Sequence, residues 1–432
     1  MIAGVSETHD MIGLAQPLRM AQNDGVHCPP ARKPIVGDNG NDRIGGDMRF
    51  RSRAMVWSVL STVMLWMLAV VFVDGQTAPA QTTAQNQMLA ENVFKNVTVL
   101  RGIPVDEFMG TMGVFSAALG FSCEDCHTAS SNDWANYAKD VSPRKQMARR
   151  MVTMMTELNK QYFGGRQVVT CFSCHRGSNR PKVTPSLVML YGTPAPDELD
   201  VLLAPGPAGT PDAAQILDKY LQAIGGADRA AKLTSYAAKG TYSGYGPEGF
   251  PRPVEIYAKA PNQRAVIVRD KEAGDNTTVF SGTAGWVSAP FKPVSVMELH
   301  GAELDSARAD AELMFPANIK NALTNMRSSN DFINDRSVLA VQGNKGAALV
   351  TLYFDQETGL LTRAVRSTPS PVGRLPVQMD YSDFRDVAGV KLPFKWTMTW
   401  LDGRSNFEVS EIQPNVAIDA ARFTRPGPPK PY

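Results

Sequence analysis

The chain has 432 residues, 43% of them hydrophobic, with 44 Lys and Arg against 42 Asp and Glu and a formal charge of +2. Its length suits two or three domains. The balanced charge excludes nucleic acid as a partner held by bulk electrostatics, and the apolar content excludes a chain disordered throughout.

Residues 1–47 are polar, rich in Gly, Asp and Asn, and without hydrophobic periodicity. They read as disordered or as upstream of the true start, because Met48 and the arginines behind it have the form of a signal n-region. Translation from Met48 is the expectation, and Cys28 and His27 carry no role. Residues 48–75 read as a signal peptide or membrane anchor. Within them, the run from Ala54 to Val73 holds no charge and is long enough to span a bilayer. Arg49, Arg51 and Arg53 precede the run and Asp74 follows it, which keeps the N-terminus in the cytoplasm and sends the rest outside. Ala78-Pro79-Ala80 offers a weak cleavage pattern, while the length of the run favours an anchor. The expected location of the rest of the chain is the outer side of a membrane.

Residues 76–87 form a Gln/Thr/Ala-rich spacer, and residues 88–190 read as a compact helical domain. Pro104 opens a helix that Gly120 closes, with Phe108, Met112, Phe115 and Leu119 on one apolar stripe. Ser142-Pro143 opens the next helix and Gly164-Gly165 ends it, with Met147, Met151, Met154, Leu158 and Tyr162 as its expected buried stripe. A five-residue motif follows each helix: Cys123-Glu124-Asp125-Cys126-His127 and Cys171-Phe172-Ser173-Cys174-His175. The order helix, turn, motif thus occurs twice, an internal repeat.

C-x-x-C-H is the attachment motif of c-type haem. Two thiols one helical turn apart form thioethers with the two vinyl groups, and the next histidine supplies the proximal nitrogen. Two covalently bound haem c groups are therefore expected, on Cys123 and Cys126 with His127, and on Cys171 and Cys174 with His175. A four-thiolate zinc site, redox dithiols or disulfides are the alternatives, and none of them requires a histidine directly behind each pair. The distal ligands follow by elimination. His9 and His27 precede the apolar run and His300 lies in the other domain, so methionine remains. Met112 is expected on the first iron and Met151 on the second, with Met109 and Met154 one turn away as substitutes. Methionine on a helix stripe is otherwise core packing. A thioether ligand favours Fe(II), so fairly high reduction potentials are expected. Arg144, Lys145, Arg149 and Arg150 form a basic helix face, read either as solvated or as steering an acidic redox partner. Arg176, directly behind His175, is the candidate for a haem propionate.

Residues 191–212 hold five prolines and read as a linker. In residues 213–432 a helix over 213–224, stopped by Gly225-Gly226, leads into alternating runs with turn residues between. These predict about eight antiparallel strands, at 235–242, 254–259, 264–268, 277–281, 347–354, 360–367, 377–381 and 395–400. A helical stretch over 301–327 interrupts them. His300 reads as an ordinary partly buried histidine. The fold class expected is multidomain: an α-helical dihaem cytochrome c domain, then an α+β domain with a curved antiparallel sheet.

Residues 92–180 resemble the cytochrome c subunit of photosynthetic reaction centres. The likeness rests on the segment from Gly102 through Pro104 to Phe108, then Met112, Leu119-Gly120, Arg149-Arg150-Met151, Asn159, and Val169 through His175 to Gly177. In that family the distal methionine sits on the helix before each motif, which implies Met112 and Met151. The subunit feeds electrons from soluble donors to a photo-oxidised pigment pair, and its haems are attached outside the cytoplasmic membrane. The family pattern has four motifs and this chain has two, so what carries over is a two-haem periplasmic electron carrier working between periplasmic or membrane redox proteins. The second domain resembles, more weakly, the half-barrel of periplasmic lipoprotein carriers. Tyr220 to Gly226, Lys239-Gly240-Thr241, Gly282 to Trp286, Leu352 to Asp355, Glu357 to Leu361 and Asp380 to Arg385 carry that likeness. It implies a sheet curved around helices with an apolar hollow, open to a lipid or a protein ligand. Electron transfer without a catalytic site is the favoured function. A haem enzyme acting on peroxide or a nitrogen oxide, and a lipid-binding module with a haem domain, are the alternatives.

Overall fold

The computed structural model describes residues 88–127, 136–184, 202–244, 250–290 and 292–430. The expectations for residues 1–47, the apolar run at 54–73, the spacer and the first half of the linker lie outside these residues. Among the described residues no helix is long and apolar enough to cross a membrane. Residues 81–432 form one compact unit, so the motif-bearing segment and the sheet are held together.

A short turn of helix α1 (Ala90–Val93) precedes α2 (Val105–Leu119), which Pro104 opens and Gly120 ends in the left-handed conformation at φ 66°. One-turn helix α3 is Cys123–Cys126. Helix α4 (Pro143–Phe163) starts where Ser142 accepts a hydrogen bond from the Arg144 amide and stops at Gly164, and one-turn helix α5 is Cys171–His175. Helices α6 (Ala213–Ala223) and α7 (Ala227–Ala231) lead into the sheet.

The sheet has thirteen antiparallel strands in the order β6-β5-β4-β3-β2-β1-β13-β12-β11-β10-β9-β8-β7. Six of them, β1 (235–244), β2 (252–259), β3 (263–268), β4 (276–280), β5 (285–288) and β6 (296–299), make one meander. The other seven, β7 (324–333), β8 (336–345), β9 (348–355), β10 (361–370), β11 (373–387), β12 (390–400) and β13 (403–414), make the second. The two join where β1 pairs with β13. Helix α8 (Gly301–Leu313) and a 3-10 turn over Pro316–Asn321 connect the opposite edges.

The expected eight strands are too few, and the helical stretch stops short of 327 because β7 begins at Thr324. Strands β5 and β6 have four residues each, below the length at which alternation is readable. Strand β7 is an exposed edge, so burial imposes no apolar face on it. Strand β13 buries Ser405 between polar neighbours, which dilutes its alternation.

The face of the sheet that would form an apolar hollow is occupied by protein side chains. Ile216, Leu217, Tyr220 and Ile224 of the α6 region pack there with Phe315, Leu352 and Phe354, each at most 5% exposed. An open groove of about 510 Å³ lies elsewhere, between Val294–Val296 and the tail segment Arg425–Pro428.

A smaller core joins the motif segment to the sheet. Val372, in the β10–β11 turn, is fully buried among Val114, Val152 and Met155. Burying one such side chain contributes about 1.5–3 kcal/mol. Gly110 lets Leu375 approach α2 so closely that a Cβ there would meet its Cδ2 at 3.1 Å. The Cys171 amide donates to the Val372 carbonyl at 3.2 Å, and Gln167 Nε2 donates to the Ser370 carbonyl at 2.7 Å. At the start of α2, buried Asp106 accepts from the His300 amide at 2.6 Å, with His300 Nδ1 at 3.4 Å from its other oxygen. His300 is thus a contact between the two parts, a role its isolated position in the sequence did not suggest.

Helix α4 sits turned from the expected orientation, and on α2 the deepest burial lies beside the expected stripe, whose Phe108, Met112 and Phe115 pack at the edge of the small core. On α4 the packed residues are Val152, Met155 and Asn159, while Met147, Met154 and Tyr162 are exposed at 48%, 47% and 67%. On α2 the packed residues include Thr111, Val114 and Ala118, while Phe108, Met112, Phe115 and Leu119 are half-buried. At 3.6 residues per turn, each methionine-bearing stripe lies about a quarter turn from the packed face. The reason is the small core: Val372 and the 168–169 backbone draw the other face of each helix inward.

Candidate haem-attachment sites

The two motifs adopt one design. Each begins on a hydroxyl residue that caps a single helical turn. In the first, the Ser122 amide and hydroxyl donate to Asp125 Oδ2 at 2.9 and 3.0 Å. In the second, the Thr170 amide donates to Ser173 Oγ at 3.0 Å and the Ser173 amide returns a bond to Thr170 Oγ1 at 3.3 Å. The four cysteines are free thiols, with Cys123 and Cys174 exposed and Cys126 and Cys171 half-buried.

Both histidines are held the same way. His127 Nδ1 lies 2.9 Å from the Tyr137 carbonyl oxygen, and His175 Nδ1 lies 2.9 Å from the Ser178 carbonyl oxygen. A carbonyl only accepts, so each Nδ1 carries a proton, which in the neutral ring leaves the lone pair on Nε2. This is how a metal-ligating histidine is oriented by its surroundings. The Tyr137 ring also stacks on His127, with centroids 4.5 Å apart. Burial holds the His127 pKa below the usual histidine range against the opposing effect of the Tyr137 carbonyl, which favours the neutral, ligating form.

The geometry separates the candidate chemistries. Burial pushes the Cys126 thiol up and the Cys171 thiol up to about 11. The first thiol of a redox pair attacks as the thiolate, so in the second motif the shift at Cys171 runs against that chemistry. Among the described residues no group of three or more His, Cys, Asp and Glu side chains converges as a metal cluster, so the two thiol pairs do not form one tetrahedral site. The donor set fits haem c: paired free thiols, an imidazole anchored through Nδ1, and half-buried methionines on the helix before each motif.

The motifs pack crosswise. Helix α2 lies against α5, and α4 lies against α3. Met112 and Cys171 border the same small core, and Met151 is half-exposed on α4. At the joint of α2 with the second motif, the Gly177 amide donates to the Ala118 carbonyl at 2.9 Å. Asn159 fastens the approach to the second motif: its Oδ1 accepts from the Val168 and Val169 amides at 3.0 and 2.9 Å, and its Nδ2 donates to the Val169 carbonyl at 2.7 Å.

The expected basic face on α4 is largely engaged. Arg144 pairs with Asp125 at 2.6 Å and covers the Phe121 ring, and Arg149 pairs with Asp140 at 2.7 Å. Hydrogen bonds from Arg149 and Asn96 hold the Asp140 carboxyl down at about 2. Lys145, only 11% exposed, donates to the Tyr137 and Lys139 carbonyls. Arg176 is exposed and left-handed at φ 49°, where it ends α5. The carbonyls of Tyr137 and Ser178, the Val372 turn and the Asp106–His300 contact were not legible in the sequence. Asn159 stood among the residues of the family resemblance without an assigned role.

The two motifs share one local design, and the proteins similar to this chain include cytochrome c subunits. The family model described as photosynthetic reaction centre cytochrome C subunit matches residues 61–188. The photosynthetic reaction center cytochrome c subunit of Rubrivivax gelatinosus is 35% identical over 116 residues, covering 26% of this chain and 30% of the relative. That of Thermochromatium tepidum is 32% identical over 97 residues, covering 22% of this chain and 23% of the relative. The chain thus spans less than a third of the length of these relatives. Among solved structures, a LolA superfamily protein from Nitrosomonas europaea aligns over 50% of this chain and 98% of its own length, at 16% identity and a TM-score of 0.34. A putative outer membrane lipoprotein-sorting protein domain from Vibrio parahaemolyticus aligns over 48% of this chain and 94% of its own, at 8% identity and a TM-score of 0.32.

Proposed function

We propose that the chain is a c-type cytochrome carrying two covalently bound haems on the outer side of a bacterial inner membrane, where it passes electrons between redox partners. The observation that carries this reading is the matched pair of imidazoles, each with Nδ1–H on a backbone carbonyl and each behind two unpaired thiols. The likeness of residues 61–188 to reaction centre cytochrome c subunits supports it. A haem attached at either motif supplies a one-electron couple. The chain's own residues then set its surroundings. Cys123 and Cys126, and Cys171 and Cys174, hold the group covalently; Tyr137 and Ser178 orient the proximal imidazoles. Met112 and Met151 serve as the distal ligands and favour the reduced state, and Arg176 meets a propionate. The run at 54–73 acts as signal or anchor.

The test is the spectrum and haem content of the full chain matured in a host that attaches haem c. Two haems per chain, low-spin, with the weak long-wavelength band of ferric methionine ligation, is the expected result. Met112→Leu and Met151→Leu should each remove that band from one haem. Given the crosswise packing, the haem affected settles which methionine serves which motif. A high-spin component in the unaltered protein moves the reading to a haem enzyme, and absence of haem refutes it.

A further inference from the structure

The segments that carry the two motifs differ in charge, the first balanced and the second positive. Residues 121–157, around the first, contain five acidic and five basic residues. Three of the cations are engaged, Arg144 by Asp125, Arg149 by Asp140 and Lys145 by two carbonyls. Residues 158–184, around the second, contain Lys160, Arg166, Arg176, Arg180 and Lys182 and no acidic residue. All five are exposed, and among the described residues none is ion-paired with a carboxylate. In the same segment Val168 and Phe172 are exposed at 50% and 54%. The two propionates of a haem would offset part of this charge and leave a surplus of about three.

We propose that the second motif is the docking face for a soluble redox protein with an acidic rim around its own metal centre. This rests on the electron-carrier reading above. The unpaired cations steer the acidic partner in, and the apolar spot at Val168 and Phe172 supplies the short-range contact. One electron leaves the reduced second centre of this chain and lowers the partner's metal by one oxidation state; no bond forms or breaks. An anionic membrane surface would also be drawn to the charge, but it gains nothing from lying over an electron-transfer centre.

The test uses the full, haem-loaded, reduced chain in stopped flow against an acidic blue-copper protein. Hexacyanoferrate(III) and a cationic cobalt(III) complex serve as charge-reporting probes. Between about 10 mM and about 0.5 M salt, the rate with the acidic protein and with hexacyanoferrate should fall at least about tenfold, and that with the cobalt complex should rise. Arg180→Glu with Lys182→Glu should lower the low-salt rate with the acidic protein about tenfold and leave the high-salt rate and haem content unchanged. Arg180→Gln with Lys182→Gln gives a smaller drop of the same sign if the reversed pair matures poorly. A flat or inverted salt dependence overturns the proposal, as does a low-salt rate that neither pair changes. Loss of flotation with phosphatidylglycerol vesicles in the variants, with rates toward the acidic protein intact, marks the patch as a membrane surface and also overturns it. A chain without haem defeats the electron-carrier reading instead, before any rate is measured.

Discussion

Replacing Asn159 with alanine isolates the cost of holding the second motif in place. Asn159 is 6% exposed and makes three hydrogen bonds to the backbone of Val168 and Val169. An ordinary hydrogen bond contributes about 0.5–1.5 kcal/mol net, whereas a buried backbone group left unpaired costs about 1–3 kcal/mol. Val168 is exposed, so water can replace the bond to its amide. Val169 is half-buried, and both its amide and its carbonyl lose their partner. The expected loss is therefore about 2–4 kcal/mol. It should be read as a lower urea midpoint at unchanged slope, in the range where slope reports exposed surface and midpoint reports stability. Asn159→Asp keeps the oxygen that serves both amides but sets a carboxylate oxygen against the Val169 carbonyl, so it should not restore full stability. A loss below about 0.5 kcal/mol for Asn159→Ala, the size of an ordinary surface substitution, would refute the assignment of Asn159 as the fastening.

Two further outcomes follow from the joint between the motif segment and the sheet. Hydrogen bonding to Asp106 raises the His300 pKa, with burial opposing and Glu298 adding to the rise. Its contribution to stability is thus complete below about pH 6.5 and lost as pH climbs through the raised folded value. The stability difference between the unaltered chain and His300→Gln should shrink with rising pH across that window, and a difference independent of pH would count against the Asp106 contact. Gly120→Ala should destabilise by about 1–3 kcal/mol, since the residue sits at φ 66° and a Cβ would approach the Gly177 carbonyl to 2.6 Å. Thermal unfolding within error of the parent would mean that α2 and the segment behind the second motif are not in close contact.

Local chemistry made much of this protein readable in advance. Pro104, Gly120, Ser142 and Gly164 mark the ends of α2 and α4, because proline, glycine and a capping hydroxyl act on the backbone next to them. The two C-x-x-C-H motifs needed no fold to be seen, since their spacing is itself the chemistry. Strand β2, whose buried and exposed residues alternate, and β9, buried on both faces, were legible from their apolar pattern, whereas edge strand β7 and the short β5 and β6 were not.

What only the tertiary structure decided lies in contacts between distant segments. Periodicity located an apolar stripe on each long helix, but the stripe is not the most deeply buried face: Val372, more than two hundred residues away in the chain, draws Val114, Val152 and Met155 in deepest. The carbonyls of Tyr137 and Ser178 that set both imidazoles belong to the backbone, which every residue possesses and no sequence pattern distinguishes. The charges divide in the same way. The cations of α4 looked free in the sequence, yet folding brings Asp125 and Asp140 to Arg144 and Arg149. Composition fixes how many charges a segment carries, while the fold decides which of them remain unpaired.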